Sequence, residues 1–163
     1  MGITPQENVA YLEAVLAKAK MGAPAAANAM AKYIAERTAT DTLTRNRHAP
    51  GAYHKARPGA PPSSASGQLA NAMFWNQASE GLRATAVVGN NDKKARVLEF
   101  GGCVLQPRSR KVMHWVDSGG SWFHSVLTTE RQQHPFLGPT TDEAIDDGSL
   151  HRVARDAFRE YDP

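Results

Sequence analysis

Val97-Leu98-Glu99-Phe100-Gly101-Gly102 is the stretch around which the chain is organised, and it pairs with a second, His134-Pro135-Phe136-Leu137-Gly138-Pro139. The residues between them alternate like a β-ribbon, so the two stretches are expected to bracket one. Upstream of the first, Asp92 to Phe100 reads as a short helical turn. Asp92 stands as its N-cap, Val97 and Phe100 share a face, and Gly101 is the stop. In the second, Pro135 and Pro139 fix φ on either side of the apolar pair Phe136-Leu137. Neither proline can donate a ladder hydrogen bond, so the pair falls at the end of the sheet, just before a helix. Neither stretch holds a nucleophile or a metal cage.

A chain of 163 residues fits a single domain, and one of that size buries roughly two thirds of its unfolded surface. Apolar content of 41% and charged content of 21% are those of an ordinary globular protein. No apolar run approaches the about twenty residues that span a bilayer, and no membrane partner is expected. The N-terminus lacks a basic segment followed by an apolar one, so no secretory signal is expected either. The lone Cys103 cannot form an internal disulfide. That agrees with assembly in a reducing cytoplasm and with the role of a small buried hydrophobe.

The net charge of +3 hides an uneven distribution. Residues 1–44 are neutral, residues 45–115 hold eleven basic and three acidic side chains, and residues 116–163 hold four basic and nine acidic. Such asymmetry suits copies that dock head to tail, or a protein lying near nucleic acid. A merely solvated surface is the plain alternative.

Taken in order, Thr4, Pro5 and Glu7 form a capping-box start. Val9, Leu12, Val15 and Leu16 then recur at helical spacing, which predicts a helix from Pro5 to Lys20 with one narrow apolar stripe. Gly22-Ala23-Pro24 is expected to interrupt or kink it, and helix resumes from Pro24 with Met30, Tyr33 and Ile34 on one side. So thin a stripe either packs on its own sheet or finds part of its burial on a neighbouring copy. Thr38 to Arg45 has threonine at every second position, the period of a strand. Residues 46–66 form a long basic loop with four prolines and no acid. It would touch DNA or serve as an arm ordered by a neighbour. Gln68 to Gln77 reads as a helix, since Leu69, Met73 and Phe74 fall at helical spacing. Leu82 to Val88 reads as a strand. Further strands are expected at 103–105, 111–116 and 122–127. Thr140 to Tyr161 reads as a C-terminal helix, weakened at Gly148, with Asp142, Glu143, Asp146 and Asp147 in its first turns to suit the helix dipole.

The expected fold class is therefore α+β: an antiparallel β-sheet with N-terminal helices, a short central helix and a C-terminal helix packed on it. Within the single domain, 1–38 is helical, 39–137 is the sheet region with its loop and a helix near 67–78, and 138–163 is the C-terminal helix.

Catalytic chemistry finds little support. His114, His124 and His134 are evenly spaced, but no acidic or thiol ligand accompanies them in a metal-binding pattern. There is no Gly-x-Ser-x-Gly elbow, no phosphate loop and no dinucleotide fingerprint. No catalytic residue, metal or cofactor is assigned, and the chain is not read as an enzyme.

The succession of pieces is itself informative. Pro58-Gly59-Ala60-Pro61-Pro62, Ser66-Gly67-Gln68-Leu69, Val97-Leu98-Glu99-Phe100-Gly101 and His134-Pro135-Phe136-Leu137-Gly138-Pro139, followed by a final helix, resembles the tail-completion or neck proteins of long-tailed phages. The intervening Gln106 to Trp115 and Asp117-Ser118-Gly119-Gly120 look like the version in phages of actinobacteria. The likeness spans roughly residues 55–145. It departs from the family at Gly138-Pro139-Thr140, where a basic residue and Pro-Ala are common, and in the basic arm 45–57, which has no counterpart. The resemblance implies a structural virion protein, built in the host cytoplasm, that forms a ring, usually sixfold, at the head-to-tail junction. Its implied partners are further copies of itself, the head–tail stopper or connector, and the tail terminator or tail tube, with DNA in the lumen. Interaction residues on this reading are the basic Arg45, Arg47, Lys55, Arg57, Arg108, Arg110 and Lys111 and the acidic Asp142, Glu143, Asp146 and Asp147. A tail terminator or another minor tail protein is the alternative within that class. A DNA-binding module using residues 45–115 is the alternative outside it.

Overall fold

The computed structural model describes residues 5–44, 59–62, 66–80, 83–101, 104–105, 113–116, 122–125, 129–130 and 133–161. The fold is α+β. Helix α1 (Pro5–Arg37) leads into a π-helical segment, Thr38–Thr44. A single turn, α2 (Gln68–Asn71), precedes the paired strands β1 (Met73–Glu80) and β2 (Arg83–Asn90). Then come α3 (Ala95–Phe100), strands β3 (Val104–Leu105), β4 (Met113–Val116), β5 (Trp122–Ser125) and β6 (Thr129–Glu130), and helices α4 (Leu137–Asp146) and α5 (Ser149–Arg159). The residues cluster into two compact units. One holds residues 1–35, 74–89 and 142–163, and the other residues 36–73 and 90–141.

In the second unit the bracketing stretches enclose an antiparallel ribbon, as the alternation predicts. β3 pairs with β6, Val104 opposite Glu130, and β4 pairs with β5 inside them, Met113 opposite Ser125. Among the described residues the strands form three separate two-stranded sheets, not the one continuous sheet expected. The helical turn expected over Asp92 to Phe100 is present from Ala95, but its N-cap is Lys94, without a side-chain cap, and Asp92 serves the turn before it. Asp92 Oδ1 accepts from Lys94 N at 2.8 Å, and Gly101 ends α3 with φ 66° and ψ −153°, a conformation open only to glycine. Of the face shared by Val97 and Phe100, Phe100 is 70% exposed. The core of this unit is small: Leu43, Leu69, Ala95 and Phe136, flanked by Met73, Leu98 and Leu137.

Three local expectations are corrected. The alternating threonines of 38–44 form a π-helix, not a strand. Only one residue in the run, Leu43, is large and apolar, and it needs one inward position, not a face of them. The threonine hydroxyls then serve the backbone: Thr40 Oγ1 donates to the Glu36 carbonyl at 2.9 Å and Thr44 Oγ1 to the Ala39 carbonyl at 2.6 Å. The helix predicted over 68–77 ends at Asn71 and continues as β1. Adjacent Phe74 and Trp75 favour strand, and β2 is there to pair with. Within the first unit, the Phe74 ring lies so close to Gly89 on β2 that a Cβ there would sit 2.7 Å from it. Finally, α1 runs unbroken through Gly22 and Pro24. Gly22 serves packing, since a Cβ at that position would stand 2.7 Å from the Phe158 ring on α5.

The C-terminal helix is two helices. Gly148, at φ 69°, separates α4 from α5, and α4 starts at Leu137, three residues earlier than expected. Consequently Asp142, Glu143 and Asp146 lie in the middle and last turn of α4, away from the positive end of its dipole. Only Asp147 serves a helix start, its Oδ1 accepting from Ser149 N at 2.8 Å.

Phe136 is 2% exposed and occupies the centre of the small core. Phe136→Ala is expected to cost about 3–5 kcal/mol, read as a lower denaturant midpoint. Thr38 is fully buried, and its hydroxyl has no hydrogen-bond partner among the described residues. Thr38→Val keeps the shape and removes the orphan hydroxyl, so it is expected to raise stability by about 1 kcal/mol. A loss of stability in that variant would show that the hydroxyl does have a partner.

Candidate assembly site

Three of the four stretches singled out in the sequence meet in the second unit, and a single carboxylate joins two of them. Glu99, on α3, reaches the first turn of α4. Its Oε2 accepts from Phe136 N at 2.8 Å and Leu137 N at 3.1 Å, and its Oε1 accepts from Gly138 N at 2.7 Å. The next residue, Pro139, has no N–H. All the donors that an α-helix leaves unpaired at its start are thus satisfied or absent. α4 has no acid of its own in its first turn, so Glu99 also supplies the negative charge that the positive end of the helix favours. Gly138 leaves room for this, because a Cβ there would lie 3.2 Å from Glu99 Oε1.

Backbone bonds fasten the same junction. His134 N donates to the Leu98 carbonyl at 2.7 Å, and Gln133 Nε2 donates to the Phe100 carbonyl at 3.0 Å. The proline-rich stretch joins through Gly59 N, which donates to the Gln133 carbonyl at 3.1 Å, and through the Ala60 carbonyl, 3.1 Å from His134 Nδ1. A carbonyl only accepts, so the proton of that pair sits on the imidazole. On the far side of α4's first turn, Thr140 Oγ1 donates to the Phe136 carbonyl at 2.6 Å. The same hydroxyl lies 2.6 Å from that of Thr42.

Among the expected interaction residues, Asp142, Glu143, Asp146 and Asp147 are exposed on or just after α4. Arg45, Arg47, Lys55, Arg57, Arg108, Arg110 and Lys111 lie outside the described residues, as do most of the basic loop and Cys103. The register sets His114 directly opposite His124 across β4 and β5. His134 stands apart from that pair in role, its ring committed to Ala60. Among the described residues no three His, Cys, Asp or Glu side chains gather as a metal site requires, and no helix is long and apolar enough to cross a membrane.

Sequence reading overlooked a second charged feature. Arg152, Arg155 and Arg159 are exposed on α5 at i, i+3 and i+7, the spacing of one helix face, and Arg159 lies 4.0 Å from Asp156. The signal was present, but the net acidity of the C-terminal third masked it. The first unit therefore carries an acidic and a basic surface on consecutive helices. No protein-family model matches the chain, and neither the curated proteins nor the solved structures contain a match.

Removing the Glu99 carboxylate strips three donors of their acceptor. Glu99→Ala is expected to destabilise the protein by about 2–4 kcal/mol, with Glu99→Gln intermediate. Equal stability of all three proteins would mean that water caps α4 as well as Glu99 does.

Proposed function

We propose that this protein is a structural component of a phage virion, one that forms a ring of copies where the head joins the tail. The observation that carries this reading is the junction at Glu99. Three of the four stretches, each a weak motif alone, are linked through the one at His134 to Pro139: Ala60 meets His134, and Glu99 meets Phe136, Leu137 and Gly138. That is how the parts of one signature behave, and scattered coincidences would have no reason to do so. The polar groups at this junction serve backbone donors and acceptors, which suits a scaffold.

A ring needs a heterologous contact that closes by rotation. Exposed acids on α4 and exposed arginines on α5 supply surfaces of opposite sign on one subunit, and the basic residues between 45 and 111 add to the positive side. Each exposed pair contributes only about 0–1 kcal/mol, but every pair repeats at each junction of the ring. A DNA-binding module is the competing reading. Salt-dependent binding of duplex DNA by the purified monomer would favour it, and concentration-dependent rings formed without DNA would favour the neck role.

Replacing Asp142, Glu143, Asp146 and Asp147 with Asn or Gln separates assembly from folding. Asn at 147 keeps the oxygen that accepts from Ser149, so the variant should fold normally. Fewer tailed particles are expected, and raised salt during wild-type assembly should imitate the defect. If heads and tails join normally in the variant, the acidic surface has no part in the ring.

A further inference from the structure

Among the described residues, the N-terminal half of α1 holds half of the large exposed apolar side chains: Val9, Tyr11, Leu12, Val15, Leu16 and Met21. Val9 and Ala27, like Leu16 and Ile34, stand five full turns apart and so fall on one line along the helix. Ala27 and Ile34 are 9% and 5% exposed, whereas Val9 and Leu16 are 55% and 42% exposed. A single stripe is covered along its second half and open along its first.

We propose that a second copy of this chain covers the open half, through antiparallel pairing of the two α1 helices about a two-fold axis. Two features of the sequence select that partner and that direction. Setting Leu16 opposite Ala19 of the second copy also sets Leu12 opposite Ala23, and the symmetry repeats both pairs. Each large side chain then faces a small one, which lets the helices approach closely. In the same register Glu13, at the edge of the stripe, falls within two residues, about 3 Å along the axis, of Lys20 of the second copy. The symmetry makes this opposite-charge pair twice. Shifting the helices so that Leu12 faces Leu16 sets Glu13 against Glu13 instead. Parallel pairing sets each charge level with its own like. Of these three arrangements, the antiparallel register with Leu16 on Ala19 is the one complementary in both size and charge.

Such a contact is isologous and closes on two copies, so it is separate from any ring contact and stands whether or not the neck reading does. Sedimentation of the full chain over a range of concentrations tests it. The wild type is expected to pass from monomer to dimer, and Leu12→Ser with Leu16→Ser should weaken the dimer at least tenfold. E13K and K20E should each weaken it, and the double variant E13K/K20E should restore it, because the exchanged charges again meet their opposites. These positions are exposed, and unchanged circular dichroism would show that the variants fold. A chain that stays monomeric overturns the proposal, as does a double variant no stronger than the singles. Larger rings that survive the leucine changes would overturn it while leaving the neck role intact. Dimers that obey the charge exchange in a protein absent from tailed particles would do the reverse.

Discussion

The carboxylate of Glu99 at the start of α4 is the constraint on which the second unit depends. A helix that begins beside two prolines has few ways to satisfy its first N–H groups from its own sequence. Here the acceptor comes from α3, on the other side of the β3–β6 ribbon. The bond acts over a long stretch of chain, so it closes a loop as well as capping a helix. Once it is made, Phe136 can only point into the core beside Leu43, Leu69 and Ala95. Gly101 contributes from the other end. Its φ and ψ turn the chain out of α3 directly after Glu99 and Phe100, and its N–H returns to the Val97 carbonyl at 2.9 Å.

That core has few large side chains, and this explains why polar ties are so frequent around it. Apolar burial on this scale leaves a narrow margin over conformational entropy. The remaining order comes from hydrogen bonds that fix particular pairs of segments. Asn90 Nδ2 donates to the Leu69 carbonyl at 2.7 Å, and Asn91 N to the Ala72 carbonyl at 2.9 Å. Both bonds lie within the second unit and tie Asn90 and Asn91 to the end of α2. The Thr42–Thr140 contact does the same for the π-helical segment and α4.

A junction of this kind makes a rigid seat and leaves the chemistry of the chain on its surfaces. Outward features among the described residues include charges on α4 and α5 and an open apolar stripe on α1. Charges of both signs on one subunit favour contacts between identical copies, because each copy brings both halves of every pair. An apolar stripe that runs from covered to uncovered along one helix points the same way.

Several features were legible in the sequence because they are local or strictly periodic. Gly101 as a stop, Asp92 at the turn before α3, Phe136 as an anchor and the antiparallel ribbon between the bracketing stretches belong here. So does the break at Gly148, foreseen as a weak point and found as a boundary. The role of Glu99 was not legible, since nothing nearby in sequence shows which donors a glutamate will meet. The segments 38–44 and 73–77 take other conformations than their local pattern suggests for a related reason. Strand and helix preferences there differ by less than about 1 kcal/mol per residue. Burial of Leu43, pairing with β2 and the close approach of Phe74 to Gly89 outweigh such margins. The residues alone determined the stop at Gly101, the break at Gly148 and the burial of Phe136. The tertiary structure decided which conformation each ambiguous segment adopts, because only distant partners could supply the deciding energy.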